Sequence, residues 1–171
     1  RQAVELVTGI LDDAGINYLT VAGRTKSVTS FAVKADRTVD GRRAFADPLH
    51  DILDQIGLRV ITYVRSDVTA VADLLGDLLA VHDDRDMGEQ TASEGRFGYA
   101  SRHLMLDLDG QVVQVQVRTV LQHAWAEFEH DIRYKGSVPD EHASEFDRRF
   151  TLAAGLLELA DREFGEIRDR L

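Results

Sequence analysis

Between Val113 and Thr119 valine alternates with glutamine and arginine, and four residues later comes His123. Ser101 to Leu108 alternates in the same way, and Asp109-Gly110 between the two runs is a strong signal for a two-residue turn. A hairpin closed by that turn sets Leu108 against Gln111, Leu106 against Val113, Leu104 against Val115 and Arg102 against Val117. One face is then leucine and valine. The other collects His103, Gln114, Gln116 and Arg118, and Tyr99 and Ser101 continue the row. Imidazole, amide, guanidinium, hydroxyl and phenol on one flat surface are groups that recognise a polar planar ligand.

A second group of residues suits phosphate. Gly23-Arg24-Thr25-Lys26-Ser27 is read as a glycine turn that follows a strand and opens a helix, where free backbone N–H groups and the helix dipole favour anions. Lys26, Ser30 and Lys34 fall four residues apart, the spacing of one helical face. The glycine pattern is not that of a Walker loop. Asp54 stands just before a strand and Arg59 at its start. A carboxylate there is suited to Mg²⁺, and a guanidinium to stacking on a base or pairing with phosphate. Taken singly, a lysine stripe is more often a solvated face, and an Asp/Arg pair more often a cap or an ion pair. His50-Asp51 has no further ligands at metal-binding spacing, Trp125 reads as core, and no nucleophile elbow or Ser/His/Asp arrangement is visible.

These groups need elements to hold them. Ala3 to Ala14 has helical periodicity and is closed by Gly15; Ile16 to Val21 is a short strand; Gly23 to Lys34 ends as a helix. Residues 36–50 read as a polar connection, Leu58 to Val64 as a strand, Asp67 to Val81 as an amphipathic helix, and Asp83 to Gly98 as an acidic loop without a period. The hairpin and a helix over 119–130 follow. From about 141 to 171, Phe146, Phe150, Ala153, Leu157, Ala160, Phe164, Ile167 and Leu171 recur in steps of four and three. Such a seam packs either on the sheet or on a second subunit.

The chain has 171 residues, 44% apolar and 29% charged, enough for one domain with a substantial core. No apolar run reaches membrane-spanning length, and the opening residues show no signal-peptide pattern, although a chain beginning at Arg1 is expected to lack its natural start. The absence of cysteine excludes disulfides and thiolate chemistry and fits a cytoplasmic protein. A formal charge of −10 argues against general nucleic-acid binding, so a phosphate ligand must meet a local basic cluster.

Taken in order, the segments resemble the synthetase domain of the RelA/SpoT family, of the small alarmone synthetase type. The matching pieces are Gly23 to Ser27 with Ser30 and Lys34, Asp54-x-x-Gly57-x-Arg59, Gly98-Tyr99-x-Ser101-x-His103, and Gln116-x-Arg118-Thr119 through His123, Trp125-Ala126-Glu127, Glu129-His130 and Tyr134-Lys135. They span about residues 16–135. The resemblance implies an α/β (α+β) fold: a mixed sheet containing the antiparallel hairpin, flanked by helices. Residues 1–139 would form the synthetase domain, and 140–171 a helical extension and oligomerisation element. It implies transfer of the β,γ-pyrophosphate of ATP to the 3′-hydroxyl of a guanine nucleotide (GMP, GDP or GTP), with Mg²⁺ as cofactor. By position, Arg24 and Arg59 would enclose the adenine, Lys26, Ser27, Ser30 and Lys34 would hold phosphates, and Asp54 would bind the metal. Tyr99, Ser101, His103, Gln116, Arg118 and His123 would meet the acceptor.

The chain departs from this pattern twice. Where the family has a glutamate two positions before the Gln-x-Arg-Thr glutamine, serving Mg²⁺ and the acceptor hydroxyl, this chain has Gln114, which keeps the shape and loses the charge. The expected result is slowed transfer with nucleotide binding kept. The lysine-bearing loop before Gly98-Tyr99 is replaced by Asp86 to Phe97, in which Arg96 is the candidate substitute. The rival expectations are a catalytically silent nucleotide-binding regulator and a toxin-like pyrophosphokinase acting on tRNA 3′ ends.

Overall fold

Val113, Val115 and Val117 stand opposite Leu106, Leu104 and Arg102, the register that the alternation demanded. Gly110 takes φ +82° at the turn, a value that favours glycine, and its N–H donates to Asp107 Oδ1 at 2.7 Å. The computed structural model describes residues 1–93, 101–108, 110–135 and 142–171. Asp109 of the expected turn lies outside them.

The chain runs α1 (Gln2–Asp13), β1 (Tyr18–Thr25), α2 (Val28–Ala35), β2 (Thr38–Val39), β3 (Arg42–Arg43), α3 (Pro48–Asp51), β4 (Ile56–Thr62), α4 (Arg65–Leu78), β5 (Val81–Asp86), α5 (Met87–Ser93), β6 (Arg102–Leu108), β7 (Gln111–Thr119), α6 (Val120–Lys135) and α7 (Ala143–Arg168). The main sheet has the order β1-β4-β7-β6-β5. β4 and β7 are parallel, and the other pairs are antiparallel, so the sheet is mixed as expected. One face is the core. Leu58, Val60, Leu104, Leu106, Val113, Val115 and Val117 pack there against Val7 and Leu11 of α1 and Val71, Ala72 and Leu75 of α4. Each residue in this set is buried, and together they are the main apolar driving force of the fold.

Three sequence expectations are corrected. β1 continues to Thr25, so Gly23 lies in a strand and not in a helix-opening turn. Its lack of a side chain serves packing: an added Cβ would fall 2.7 Å from Val4 Cγ2 and 3.3 Å from Leu58 Cδ2. The polar connection 36–50 contains the two-stranded β2-β3 sheet and the short α3. The acidic segment from Asp83 holds the edge strand β5 and then α5, whose first N–H groups are met by Asp86 Oδ1, at 2.8 Å from Gly88 N and 3.0 Å from Glu89 N. The seam of α7 is covered in part: Phe150, Ala153, Leu157 and Ala160 are half-buried. Ala154 and Asp161 are the buried residues of the helix, whereas Phe146, Phe164, Ile167 and Leu171 are exposed.

α7 packs against α4 and α6. Arg168 Nη1 reaches both oxygens of Asp67 on α4 at 2.6 Å, and the Trp125 ring of α6 meets Phe150 edge-on at 5.4 Å between centroids.

Candidate nucleotide site on the polar face of the sheet

Strand pairing decides which polar side chains are neighbours. Arg24 stands opposite Gly57, and Gly57 opposite Gln114; Arg59 stands opposite Gln116, and Gln116 opposite His103. Cross-strand partners point to the same face. Arg24, Arg59, Gln114, Gln116, Arg118 and His103 therefore share the face away from the core. The Arg24 side chain lies across Gly57, where an added Cβ would come 3.6 Å from Arg24 Cγ, an ordinary contact.

At the β1 end of this face a cavity of about 280 Å³ is lined by Arg24, Thr25, Lys26, Ser27, Ser30, Asp54, Gly57 and Gln114. Lys26 Nζ lies 3.0 Å from Asp54 Oδ2, and Lys34 Nζ lies 2.9 Å from Asp54 Oδ1. The two lysines converge although only Lys34 is in the helix; Lys26 is held just before it by its N–H to the Gln55 carbonyl at 2.8 Å. Ser27 is the N-cap of α2, accepting from Ser30 N at 3.2 Å, and its hydroxyl lies 2.9 Å from that of Ser30. Gln55, not anticipated from the sequence, donates to the carbonyls of Leu49 at 2.6 Å and Ile52 at 3.0 Å, and so fixes the turn that presents Asp54. Burial pushes the Asp54 carboxyl up, but the Lys34 and Lys26 ammonium groups outweigh it and hold it below the usual carboxylate range. A single ionised carboxylate in a cavity that Gln114 also lines fits Mg²⁺, which takes few protein ligands and completes its shell with substrate oxygens. Among the described residues no three His, Asp or Glu side chains form a metal-binding cluster.

Toward β6 the face changes character. Arg118, 2% exposed, donates from Nη2 to Gln116 Oε1 at 2.8 Å, and the Gln116 amide nitrogen lies 3.4 Å from Gln114 Oε1. His103 Nε2 is 2.9 Å from the Ser101 hydroxyl. Burial, with Arg118 and Arg85 nearby, pushes the His103 imidazole down to about 4. It is neutral at physiological pH and can present an acceptor or an N–H to a base edge. From α6, His123 lies 3.9 Å from Glu127 Oε1, and Arg59 Nη1 reaches the same oxygen at 2.7 Å. The His123 imidazole is also held down, by burial first and then by Arg118 and Arg59, against the pull of Glu127. Tyr99 and Arg96 lie outside the described residues. Arg85 and Glu127 were not singled out from the sequence as site residues. Arg85 stands opposite His103 on the edge strand, where the charge alternation of Asp83 to Asp86 was its only signal.

This is a cationic, two-ended surface on an acidic chain: lysines and a carboxylate at one end, amides and neutral imidazoles at the other. The region found in RelA / SpoT proteins matches residues 23–138, which contain every residue of that surface. The chain belongs to the RelA/SpoT family. Within it, the chain is 31% identical to GTP pyrophosphokinase YjbM of Bacillus subtilis (strain 168) over 173 residues, covering 92% of this chain and 74% of that protein. It is 28% identical to the small alarmone synthetase 1 from Bacillus subtilis bound to its product pppGpp, with a TM-score of 0.70 over 100% of this chain and 93% of the other. The same synthetase bound to AMPCPP is 26% identical over 99% of this chain and 92% of the other, with a TM-score of 0.67. The RelA/SpoT match accounts for the mixed sheet and helices expected of the chain.

Proposed function

We propose that the chain is a (p)ppGpp-synthetase-type pyrophosphokinase, transferring the β,γ-pyrophosphate of ATP to the 3′-hydroxyl of GMP, GDP or GTP and releasing AMP. The observation that carries this is the convergence of Lys26 and Lys34 on Asp54 in a cavity whose other wall is Gln114, the first residue of the row that continues through Gln116 to His103. A donor polyphosphate and an acceptor nucleotide would then meet over Gln114. A relative solved with pppGpp and, separately, with AMPCPP supports nucleotides as the ligands.

In this reading Lys26 and Lys34 give up their shared carboxylate partner to phosphate oxygens, and Ser27 and Ser30 add hydroxyl contacts. Arg24 and Arg59, two residues apart across the β1-β4 pair, present flat guanidinium faces to the adenine. Asp54, with the Gln114 amide oxygen, would hold Mg²⁺; the ion supplies charge neutralisation on the phosphates. His103, Gln116, Arg118, His123 and Ser101 receive the acceptor, and the family pattern assigns Tyr99, and Arg96 as substitute for the missing lysine, to the same task. Catalysis comes from positioning and electrostatics. Gln114 takes no proton from the acceptor hydroxyl, so transfer is slow. The same amide favours a second reading, a nucleotide-binding relative without turnover.

Leu152, Leu156, Leu159, Phe164 and Ile167 of α7 are between 46% and 70% exposed, which supports homo-oligomer formation through this helix. Light scattering on the purified protein tests it. Substrates of this kind place the chain in the cytoplasm. The functional test is nucleotide analysis after incubation with ATP, Mg²⁺ and GDP or GTP. AMP together with a 3′-pyrophosphorylated guanine nucleotide is the expected result. Neither product, from folded protein that binds ATP, points to the second reading or to another acceptor.

A further inference from the structure

The side chain of α7 that lies deepest is a carboxylate, not an apolar residue. Asp161 is 2% exposed, its Oδ2 accepts from Thr119 Oγ1 at 2.8 Å, and its Oδ1 is buried without a hydrogen-bond partner. Thr119, fully buried, is the last residue of β7 and stands immediately before α6. Its N–H donates to Gln122 Oε1 at 2.8 Å, and Gln122 N–H donates back to Thr119 Oγ1 at 3.2 Å, the reciprocal cap of a helix start. A hydroxyl has one hydrogen. By taking that hydrogen, Asp161 turns the lone pairs of Thr119 toward Gln122 N–H and selects the rotamer that the cap requires.

We infer that Asp161 is a positioning residue for the acceptor end of the site, acting through the Thr119–Gln122 cap on the direction of α6. His123 and Glu127 follow Thr119 by four and eight residues, which places them on its face of the helix. Glu127 is about 12 Å along the axis from the cap, so a tilt of about 5° there moves its carboxylate by about 1 Å. That carboxylate holds Arg59 at 2.7 Å, and misplacements of that order are costly to transfer reactions. For packing alone, an apolar side chain would serve as well as a buried carboxylate with one unbonded oxygen. The carboxylate supplies direction. The groups around it are Thr119 at the β7–α6 junction, Glu158 one turn earlier on α7, and Arg65 of α4, which lies 3.6 Å from Glu158. Trp125 against Phe150 holds the middle of α6 to the same helix, so α7 sets α6 at two points.

The inference rests on the proposed pyrophosphokinase activity, and its test separates the two. Asp161→Leu and Thr119→Val remove the acceptor and the donor; Asp161→Asn keeps an oxygen for the Thr119 hydroxyl. The expected result is a rise in acceptor KM and a fall in kcat, together about 10- to 100-fold, in both removal variants. Affinity for a non-hydrolysable ATP analogue should fall by no more than about threefold, through the Glu127–Arg59 pair, and so by less than the acceptor side loses. Asp161→Asn should restore most of the loss, and the double variant should be no worse than either single one. Equal weakening of both nucleotide sites, or an Asn variant as poor as Leu, overturns the inference. If the unaltered protein makes no product, the functional reading fails by itself, and amide exchange decides the positioning role. Protection lost only in the first turns of α6 in Asp161→Leu supports it; loss throughout the chain, or none, overturns it.

Discussion

Arg59 Nη1 lies 2.7 Å from Glu127 Oε1, joining the strand next to the sheet edge to the helix that follows β7. Pairing along one edge of a guanidinium leaves its flat face free, so Glu127 holds Arg59 ready to stack on a planar base. Arg59→Ala should weaken binding of an ATP analogue about 10-fold, and Arg59→Lys nearly as much, because an ammonium has no flat face to offer. Glu127→Gln should weaken it less, by about 3-fold. Calorimetric titration with AMPCPP gives all three values; a tolerated lysine would show that Arg59 acts only as a charge.

Gln114 faces Gly57 on one side and Met105 on the other, on the polar face at the cavity wall. Gln114→Glu restores a proton acceptor without changing shape. It should raise the rate of AMP formation by about 100-fold while leaving analogue affinity nearly unchanged. An unaltered rate would mean that the proton of the acceptor hydroxyl leaves by another route.

The two glycines of the neighbouring strands differ in what an added methyl would meet. A Cβ at Gly23 would press on Val4 and Leu58 in the core, whereas one at Gly57 would meet only Arg24, at an ordinary 3.6 Å. Gly23→Ala should lower unfolding free energy by about 1–3 kcal/mol in urea titration. Gly57→Ala should leave both stability and ATP binding nearly unchanged, since the added methyl only touches Arg24.

His103 makes the protein sensitive to mild acid. The folded imidazole titrates at about 4 and an unfolded one at 6.5. Its contribution to stability is therefore complete above 6.5 and is lost as pH falls toward 4, because the unfolded chain takes up the proton first. Asp54, held below 3.8 by its lysines, acts in the same direction at lower pH: its contribution is present above 3.8 and lost as pH falls through the folded value. Asp161, raised by burial, acts oppositely, its contribution being present below 3.8 and lost as pH rises through its folded value. Urea midpoints between pH 7.5 and 4 should fall, and His103→Gln should flatten the slope between 6.5 and 4. An unchanged slope would assign the acid sensitivity to other groups.

Hairpin register, and with it the shared face of His103, Gln114 and Gln116, was legible in the sequence because side chains of a strand alternate and one face must avoid water. Gly15 was legible too, taking φ +67° after α1. β5 was not. Periodicity reports burial, and this edge strand buries none of its residues fully: Arg85 turns to the polar face, while Asp84 ends in the Arg102 pair at 2.7 Å. A backbone ladder leaves no mark in a sequence when its side chains stay in water. The helix α7 was legible only in part. Its apolar seam was plain, and Phe150 of that seam meets Trp125, but Asp161 and Arg168 also bind it to the body, and their charges read as outward until partners distant in sequence, Thr119 and Asp67, are brought to them.

The sequence by itself determined which residues lie on the polar side of the hairpin, which segments belong to the core, and that a basic cluster had to exist on an acidic chain; these follow from local geometry and the cost of leaving apolar surface in water. Tertiary structure alone decided that β4 runs parallel beside β7, placing Arg59 next to Gln116, and that Lys26 and Lys34 close on Asp54. Those neighbours are separated by long stretches of chain. Their meeting depends on the order of strands in the sheet, which is set by burying all the apolar faces at once.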